Sequence, residues 1–504
     1  DIKDLQTLVP SLRVTQLQSS AQTNFIIRGF GNGANNAGIE PSVGVFIDGV
    51  YRSRVGSALA DLPKLERVEV LRGPQSTLFG KNASAGVINV VTAKPDLEGL
   101  SGSVGTTLGN YNQVLVRGDI TGPLTDDLAF SLYGSSNHRD GYYDNIELGT
   151  EQNELDRWNL RGQLLWTPSD VLEVRVIADA DSLTELCCGV ANLVDGPTGD
   201  VVRALGGNLV AEDPFAYAGY YDFDSSTDNQ TQGISLQIDR VFPLFTLTAI
   251  LAYRELDQVQ LGDVDYTSAR LVDPEQGNLT DTLIDTFTSE IRIASRGEGR
   301  LDWMAGAFRF REDVDISGSF GYGEQYRAYS DALAGGFITV AEQFYSALDP
   351  TISSGTFLAE STGFIEENSA LEDETISIFA QGDFHVSEYL TLTAGLNYTE
   401  SDKQASATFV NNDVFSALEF DGTPFAALQP FQLLPPFVNY PNDVEDGRSN
   451  DDDVTYTLRL SWSPDANVSA YAGVSTGFKA SSWNLSRDSR PLASDLAALE
   501  GAGL

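Results

Sequence analysis

Apolar and polar residues alternate one by one along most of this chain. Residues 390–398 read LTLTAGLNY and residues 454–462 read VTYTLRLSW, so that nearly every second position is apolar or aromatic. Residues 247–253 and 376–384 repeat the pattern. Because successive side chains of a β-strand point to opposite faces, a period of two with one apolar face predicts half-buried strands.

The alternation recurs along the chain after residue 100 and predicts an all-β dominated fold made of consecutive antiparallel strands. We place thirteen predicted strands near residues 101–108, 113–121, 128–138, 154–167, 171–182, 229–241, 245–259, 281–295, 301–313, 372–385, 389–402, 451–463 and 468–480.

The connections between these strands alternate in length. Every second connection is a short turn, as at 168–170 and 386–388, whereas those between them include the long segments 183–228, 314–371 and 403–450. A soluble β-sandwich also alternates, but it rarely has all its long loops at one end. Short turns on one side and long loops on the other are typical of an outer-membrane β-barrel, so the pattern predicts a transmembrane antiparallel barrel.

The polar faces of the predicted strands hold side chains that a dry soluble core could not bury without partners. They include Arg161, Gln163, Arg309, Arg311 and Arg459. A hydrated or filled lumen accommodates such residues. Trp166 and Trp462 each stand two residues before a proline at a short turn. That placement suits an aromatic girdle at the periplasmic interface, and its repetition favours a girdle, although ordinary packing is the commoner role of a single tryptophan.

Composition narrows the class of protein. No run of about 18 apolar residues occurs, which excludes a helical membrane span. The net charge of −41 is uneven: residues 1–95 hold ten lysines and arginines against seven acids, a net of +3, and the remainder has a net of −44. A chain this acidic would repel phosphate backbones, and it shows no basic patch for binding nucleic acid. Solvated loops account for the acidic excess, and a cation-attracting vestibule is the narrower alternative.

No arrangement of residues predicts an enzyme, a cofactor or a metal site. The acid-rich segment 443–453 lacks the offsets of an EF-hand, so we interpret it as a solvated loop rather than a weak calcium site. Cys187 and Cys188 are adjacent and form either a vicinal disulfide or two loop thiols. Only His138 and His385 are present, and His385 adjoins a short turn, which gives no support to haem capture by external histidines.

Three motifs near the N-terminus resemble the plug domain of TonB-dependent outer-membrane receptors. They are FIIRGFGN at 25–32, VGVFIDGVYRSR at 43–54 and LERVEVLRGPQSTLFGKNASAGVINVVTAKP at 65–95, in the family's order. Independently of the resemblance, Asp48-Gly49 is a hairpin signal between two apolar runs. Residues 87–91, VINVV, form a predicted buried strand.

The resemblance implies an α+β plug over residues 1–98 inside the lumen of a barrel formed by residues 99–504. The family barrel has 22 strands, so we expect nine more strands after residue 504, and a TonB box before residue 1.

The resemblance also implies a latch in which plug arginines pair with barrel glutamates. Arg28 and Arg72 occupy the matching plug positions. Alternation places Phe287, Ile291 and Ile293 toward lipid and Glu290 toward the lumen, which makes Glu290 the predicted partner. Purely local bonds of the two arginines are the alternative.

By resemblance, substrate meets the plug at two outward loops, one after the I-R-G motif and one after the D-G turn. The predicted substrate-binding residues are Asn32, Asn35, Asn36, Tyr51, Arg52 and Arg54. Aromatic faces and cations suit anionic or aromatic chelates. Ordinary solvated loop residues are the alternative.

The resulting hypothesis is active import of a ferric siderophore across the outer membrane of a Gram-negative bacterium. The implied partners are the TonB-ExbB-ExbD complex, a ferric siderophore or similar small nutrient, and outer-membrane lipid, with a monomeric receptor and no nucleic acid. The alternative function is import of cobalamin, a glycan, a peptide or haem by the same mechanism. A passive porin is disfavoured by the plug.

Overall fold

A computed structural model provides the fold of this chain. It describes residues 2–17, 19–32, 36–54, 56, 62–190, 192–210, 213, 215–275, 277–297, 299–360, 364–433, 439–442, 445–465 and 468–485.

One thirteen-stranded sheet, here called the wall, dominates the molecule. Six strands of the N-terminal domain, β1 to β6, precede it, and three short strands, β10, β11 and β14, lie in its connections. The wall strands are β7 (Ser101–Leu108), β8 (Val114–Pro123), β9 (Leu128–Arg139), β12 (Leu155–Ser169), β13 (Leu172–Leu186), β15 (Ser226–Val241), β16 (Phe245–Leu261), β17 (Leu279–Ser295), β18 (Leu301–Gly321), β19 (Phe364–Ser387), β20 (Leu390–Asn411), β21 (Arg448–Asp465) and β22 (Val468–Ser475).

Each wall strand pairs antiparallel with the next wall strand along the chain, which confirms the predicted fold class and all thirteen predicted strands. Several strands run further toward the long loops than predicted: β19 begins at Phe364 rather than near 372, and β20 ends at Asn411 rather than near 402. The apolar alternation weakens there, while backbone pairing continues, for example Glu367 with Phe409. At the C-terminal end, β22 is shorter than predicted and ends at Ser475.

The two faces of the wall have the polarity of a membrane barrel. On β20, Leu396 is 59% exposed on the outer face, whereas Asn397 beside it is 1% exposed on the inner face. Ile378 on β19 is 61% exposed in the same outward sense. Trp166 and Trp462 also lie on the outer face. Apolar side chains therefore face outward and hydrogen-bonding side chains face inward, the reverse of a soluble sheet.

Two polar-face predictions are corrected. Arg309 and Arg311 lie on the outer face of β18, where Arg309 pairs with Glu374 at 2.6 Å. The physical reason is that Phe308 and Phe310 take the inner positions, because they pack against aromatic residues of the N-terminal domain. Arg161 and Gln163 face inward as predicted, each 4% exposed.

The N-terminal domain, here called the plug, lies against the inner face of the wall. Its strands are β1 (Leu12–Gln16), β2 (Thr23–Ile27), β3 (Val43–Ile47), β4 (Val50–Arg52), β5 (Leu65–Arg72) and β6 (Gly86–Thr92). The first two pair with each other, and the rest form a mixed sheet in the order β4-β3-β6-β5. Two short helices, α1 (Leu5–Leu8) and α2 (Ser76–Phe79), complete it. Its core includes Phe25, Val45 and Ile88, all fully buried.

The long connections are themselves structured. They contain β10 (Tyr143–Asn145), β11 (Thr150–Gln152), β14 (Ala218–Gly219), α3 (Pro197–Ala204), α4 (Tyr326–Leu333), α5 (Phe337–Leu348) and a 3-10 turn (Ala426–Phe431). The β18–β19 and β20–β21 connections share an aromatic core that includes Tyr322, Phe357 and Phe415. Within the described ranges, no helix is both long and apolar enough to cross a bilayer.

Candidate functional site

The D-G turn of the plug brings a carboxylate to the wall. Asp48 and Gly49 join β3 to β4, and both have positive φ, 51° and 78°, as a type I′ hairpin turn requires. Asp48 accepts hydrogen bonds from the amide and the hydroxyl of Thr92, each at 2.9 Å. Its carboxylate also binds Arg161, and Arg175 at 3.3 Å.

A carboxylate of the wall extends this network. Asp179 on β13 forms a two-contact ion pair with Arg254, with N–O distances of 2.8 and 3.1 Å. It also lies 3.5 Å from Arg161 and 3.9 Å from Arg52 of the plug. Two acids therefore serve four arginines in a buried region, and each acid is shared between cations.

A four-membered ring of alternating charges joins plug to wall at another place. Lys81 of the plug contacts Glu40 at 2.7 Å and Asp373 on β19 at 2.8 Å. Lys403 on β20 contacts Glu40 at 2.8 Å and Asp373 at 3.4 Å. All four side chains are at most 3% exposed, so two cations and two anions neutralise one another away from water. We call these four residues the acid–base ring.

The ring sets the protonation of its plug members. Burial raises the pKa of Glu40, but Lys81 and Lys403 outweigh burial and hold that pKa well below 4.5. For Lys81, burial lowers the pKa, and Asp373 with Glu40 outweighs it, so the pKa of Lys81 is raised above 10.5. Both groups therefore stay ionised near neutral pH.

These shifts predict how the stability of the plug depends on pH. Since the pKa of Glu40 is depressed in the folded protein, its contribution is full above about pH 4.5 and is lost as the pH falls through the folded value. Lys81 contributes fully below about pH 10.5 and loses its contribution above the raised pKa. Calorimetry should therefore show that the contribution of this ring to the free energy of plug unfolding is constant between about pH 6 and 9. A ring-dependent decline within that range would contradict the assignment.

Apart from these two networks, another ion pair lies beside a cavity between plug and wall. Arg54 binds Glu312 of β18 at 2.9 Å and donates to the carbonyl of Ala37 at 2.8 Å. The cavity has a volume of about 140 Å³. Its lining includes Asn36 and Arg54 of the plug together with amide and hydroxyl side chains of β15 to β17, such as Gln258.

Three other predicted substrate-binding residues, Tyr51, Arg52 and Asn32, contact other residues of the protein. Tyr51 is 1% exposed and packs its ring edge against Phe310 of the wall, so it is a core residue and not a loop contact. Arg52 is committed to the Asp179 network. Asn32 accepts a hydrogen bond from Ser42 at 2.6 Å. Asn35 lies outside the described residues.

The predicted latch residues are not brought together in the described structure. Glu290 does face the lumen, but it pairs with Arg292 at 2.8 Å. Arg72 is exposed and donates to the carbonyl of Pro10, and Arg28 is exposed at a turn with φ of 54°. The physical reason is that the wall supplies Glu290 with a closer cation two residues away on its own face.

The four residues of the acid–base ring escaped sequence reasoning. Glu40, Lys81, Asp373 and Lys403 are separated by up to 363 positions, and no local spacing links them. Alternation offers one signal, because Asp373 and Lys403 are charged residues at inner-face positions of their strands.

The alternatives left open for the cysteines are resolved in favour of a vicinal disulfide. Cys187 and Cys188 are bonded, and they line a cavity of about 410 Å³ at the long-loop end of the wall. At the opposite end, His385 contacts Asp302 at 2.9 Å beside a short turn.

Two family models match the chain. Residues 1–87 match the TonB-dependent receptor plug domain, and residues 190–500 match the TonB-dependent receptor-like β-barrel. Among curated relatives, the iron-regulated outer membrane virulence protein of Vibrio cholerae is 42% identical over 99 residues, covering 18% of this chain and 14% of that protein. The ferric enterobactin receptor PirA of Pseudomonas aeruginosa is 34% identical over 128 residues, covering 22% of this chain and 17% of that protein.

Solved structures share the fold over nearly the whole chain. The ferric yersiniabactin uptake receptor FyuA from Yersinia pestis superimposes with a TM-score of 0.70 at 16% identity, covering 97% of this chain and 63% of that one. The siderophore receptor PiuA from Acinetobacter baumannii gives a TM-score of 0.60 at 15% identity, with coverages of 95% and 62%. The chain thus spans less than two thirds of the length of either structure.

Proposed function

Because this chain belongs to the TonB-dependent receptor family, we propose that it imports a ferric siderophore across the outer membrane by TonB-driven displacement of its plug. Receptors of this family are outer-membrane proteins of Gram-negative bacteria, and the outward apolar face of the wall agrees with that location. The energy would come from the TonB-ExbB-ExbD complex, since transport by this route needs no reaction catalysed by the chain itself.

The observation that supports gated import best is the set of buried polar contacts between plug and wall, here called the plug seat. The acid–base ring and the Asp48 network bind the plug through ion pairs and hydrogen bonds as well as apolar packing. Buried ion pairs contribute little net stability, because desolvation offsets much of their Coulomb attraction. Such contacts hold a plug specifically, yet water entering the seat can solvate the separated charges. A passive porin does not need a plug that is held by such contacts.

The proposed substrate is a ferric chelate. The names of the relatives refer to iron regulation, ferric enterobactin and ferric yersiniabactin, which favours iron over cobalamin, glycans, peptides or haem. We propose that Asn36 and Arg54 belong to the substrate path, because both line the cavity between plug and wall. Arg54 would reach an anionic chelate only by leaving Glu312, which couples ligand arrival to one of the plug's ion pairs.

Three further features belong to this proposal. The plug would end near residue 98, where the wall begins, and the receptor would act as a monomer. Arg28, Arg72 and Glu290 would pair only in a different position of the plug, since they are apart in this structure.

Growth on single iron sources tests the function. A strain deleted for this receptor and for competing receptors should fail to grow on at least one ferric siderophore as sole iron source, and the restored gene should recover growth. Free iron at high concentration serves as the control for general fitness. Normal growth on every ferric siderophore, together with a defect on cobalamin or a glycan, would overturn the iron assignment.

A further inference from the structure

Three aspartates from two outer connections converge at the long-loop end of the wall. Asp222 lies in the connection that follows β13, and Asp263 and Asp265 lie in the connection that follows β16. One carboxylate oxygen from each residue lies within 4.8 Å of the others. The convergence joins segments about forty residues apart in the sequence, and no family motif marks it.

Each of these carboxylates has a buried oxygen that accepts no hydrogen bond from an N–H or hydroxyl group of the described residues, and the carboxyl groups of Asp222 and Asp263 contact each other. The atoms are Oδ1 of Asp222, Oδ2 of Asp263 and Oδ2 of Asp265. Asp263 is only 1% exposed, so its free oxygen is a fully buried acceptor. Leaving such an oxygen unsatisfied costs about 1–3 kcal/mol, and more when it is charged. The burial of these oxygens and their lack of an N–H or hydroxyl donor indicate that a proton or a cation satisfies them.

The other oxygen of Asp263 and of Asp265 accepts hydrogen bonds from the residues that follow it in the chain. Oδ1 of Asp263 accepts from the amides of Asp265 and Tyr266, at 3.2 and 3.3 Å. Oδ1 of Asp265 accepts from the amide and hydroxyl of Thr267, at 2.9 and 2.7 Å. Both side chains are therefore held by their own backbone, and the carboxyl group of Asp263 also reaches that of Asp222.

The protein supplies little positive charge to this cluster. Arg270 acts on Asp222, but it is itself paired with Glu324 at 2.8 Å. Three carboxylates that face one another without a paired cation repel one another, and a bound cation would relieve that repulsion.

We propose that Asp222, Asp263 and Asp265 bind a divalent cation, and that this cation is calcium. Two oxygens bound to one ion at about 2.4 Å lie at most about 4.8 Å apart, which matches the spacing of the three atoms. The ligands are all oxygens, the preference of calcium, whereas zinc prefers nitrogen and sulfur. Magnesium usually retains several waters and uses one or two carboxylates, so three converging carboxylates favour the larger ion.

Calcium at this place would fasten two outer connections to each other. The Asp263 segment is already attached to its neighbours, since the amide of Asp263 donates to Ser225 at 2.9 Å and Asn192 donates to the carbonyl of Tyr266 at 3.4 Å. A shared ion would replace the repulsion among the three carboxylates by a bond from each of them to the ion. The ion would therefore crosslink the two connections. The bound ion would thus order the rim through which any ligand reaches the plug, whatever that ligand is.

Equilibrium dialysis of the purified receptor against radioactive calcium tests the site. We expect one calcium per chain with a dissociation constant on the order of 10⁻⁴ M at neutral pH. Asp263→Asn should weaken binding at least tenfold, and Asp222→Asn, at a less buried position, should do the same without threatening the fold.

The chain offers a matched control at Asp349. Its carboxylate accepts from the amide and hydroxyl of Thr351 at 2.9 and 2.7 Å, the same local geometry as Asp265 with Thr267. Asp349→Asn should leave calcium binding unchanged, and it shares any background from bound lipopolysaccharide. Hydrogen exchange of segments 215–225 and 262–271 should slow when calcium is added to the wild type and to this control only.

Each outcome of these measurements either supports or overturns the proposal. Loss of the single calcium in both site variants, with slower exchange in wild type, supports the proposal. Equal binding by all variants overturns it, as does absence of binding to wild type, which would assign a shared proton to Asp222 and Asp263 instead. Equal affinity for magnesium overturns the choice of calcium. Because siderophore is absent from the assay, its result is independent of the import proposal.

Discussion

Replacing Glu40 with glutamine should loosen the plug by about 3 kcal/mol, because it leaves two buried lysines facing one aspartate. Glutamine keeps the size of the side chain and an acceptor for Asn82, which donates to Glu40 at 2.7 Å. The loss is therefore one of charge balance. Hydrogen exchange in β3 and β4 should accelerate about 100-fold if the plug opens as a unit.

Two companion variants make this prediction specific. Lys403→Met combined with Glu40→Gln removes one charge of each sign, so the double variant should recover most of the lost protection. Glu69→Gln is the control, because Glu69 pairs with Arg67 on the plug surface, where both side chains are more than a third exposed. Such a pair is worth at most about 1 kcal/mol. Equal exchange in the Glu40 and Glu69 variants would refute the role of the ring.

Asp48→Asn should destabilise the seated plug by a similar amount, through the Asp48 network. Asparagine tolerates positive φ and can still accept from the amide of Thr92, so the turn survives while the charge is lost. Arg161 and Arg175 then face an amide, and the nearby Asp179 already serves Arg254. Removing one partner of a buried pair costs about 3–5 kcal/mol.

Single-channel recording of the receptor in planar bilayers measures this effect. The wild type should show no open channel, whereas Asp48→Asn should open intermittently as the plug leaves its seat. Glu66→Gln is a suitable control, because Glu66 is half exposed and pairs only with Arg67 among the described contacts. A silent Asp48→Asn variant with normal insertion would show that the seat does not depend on this carboxylate.

Sequence reasoning succeeded where the signal is local. Alternation in a strand such as β20 depends on neighbouring residues alone, and each wall strand pairs with the next wall strand along the chain, so thirteen strands and their order followed from one rule. The Asp48-Gly49 turn was equally local. Strand ends were missed at the long-loop side, because pairing continues there without the apolar alternation that bilayer contact imposes.

The site depends on three-dimensional proximity, which alternation does not encode. Tyr51 and Arg52 follow the turn as the motif implies, but only the fold shows that they meet the wall at Phe310 and Asp179. Arg309 seemed to be a lumen residue until the plug's aromatic contacts assigned the inner face to Phe308 and Phe310. Oppositely charged residues of plug and wall can be recognised as partners only when the position of one domain against the other is known.

The central claim is that the plug must leave its seat in the wall for iron to pass. Thr77 on α2 and Thr457 on β21 place their hydroxyl oxygens 2.9 Å apart, so cysteines at both positions are suitably placed for a disulfide across plug and wall. The decisive measurement is uptake of radioactive iron as its siderophore complex by cells that produce the Thr77→Cys/Thr457→Cys receptor. We predict background uptake when the disulfide is formed and recovery after mild reduction, with the Thr77→Cys receptor active in both conditions. Full uptake through a completely crosslinked receptor would contradict the account.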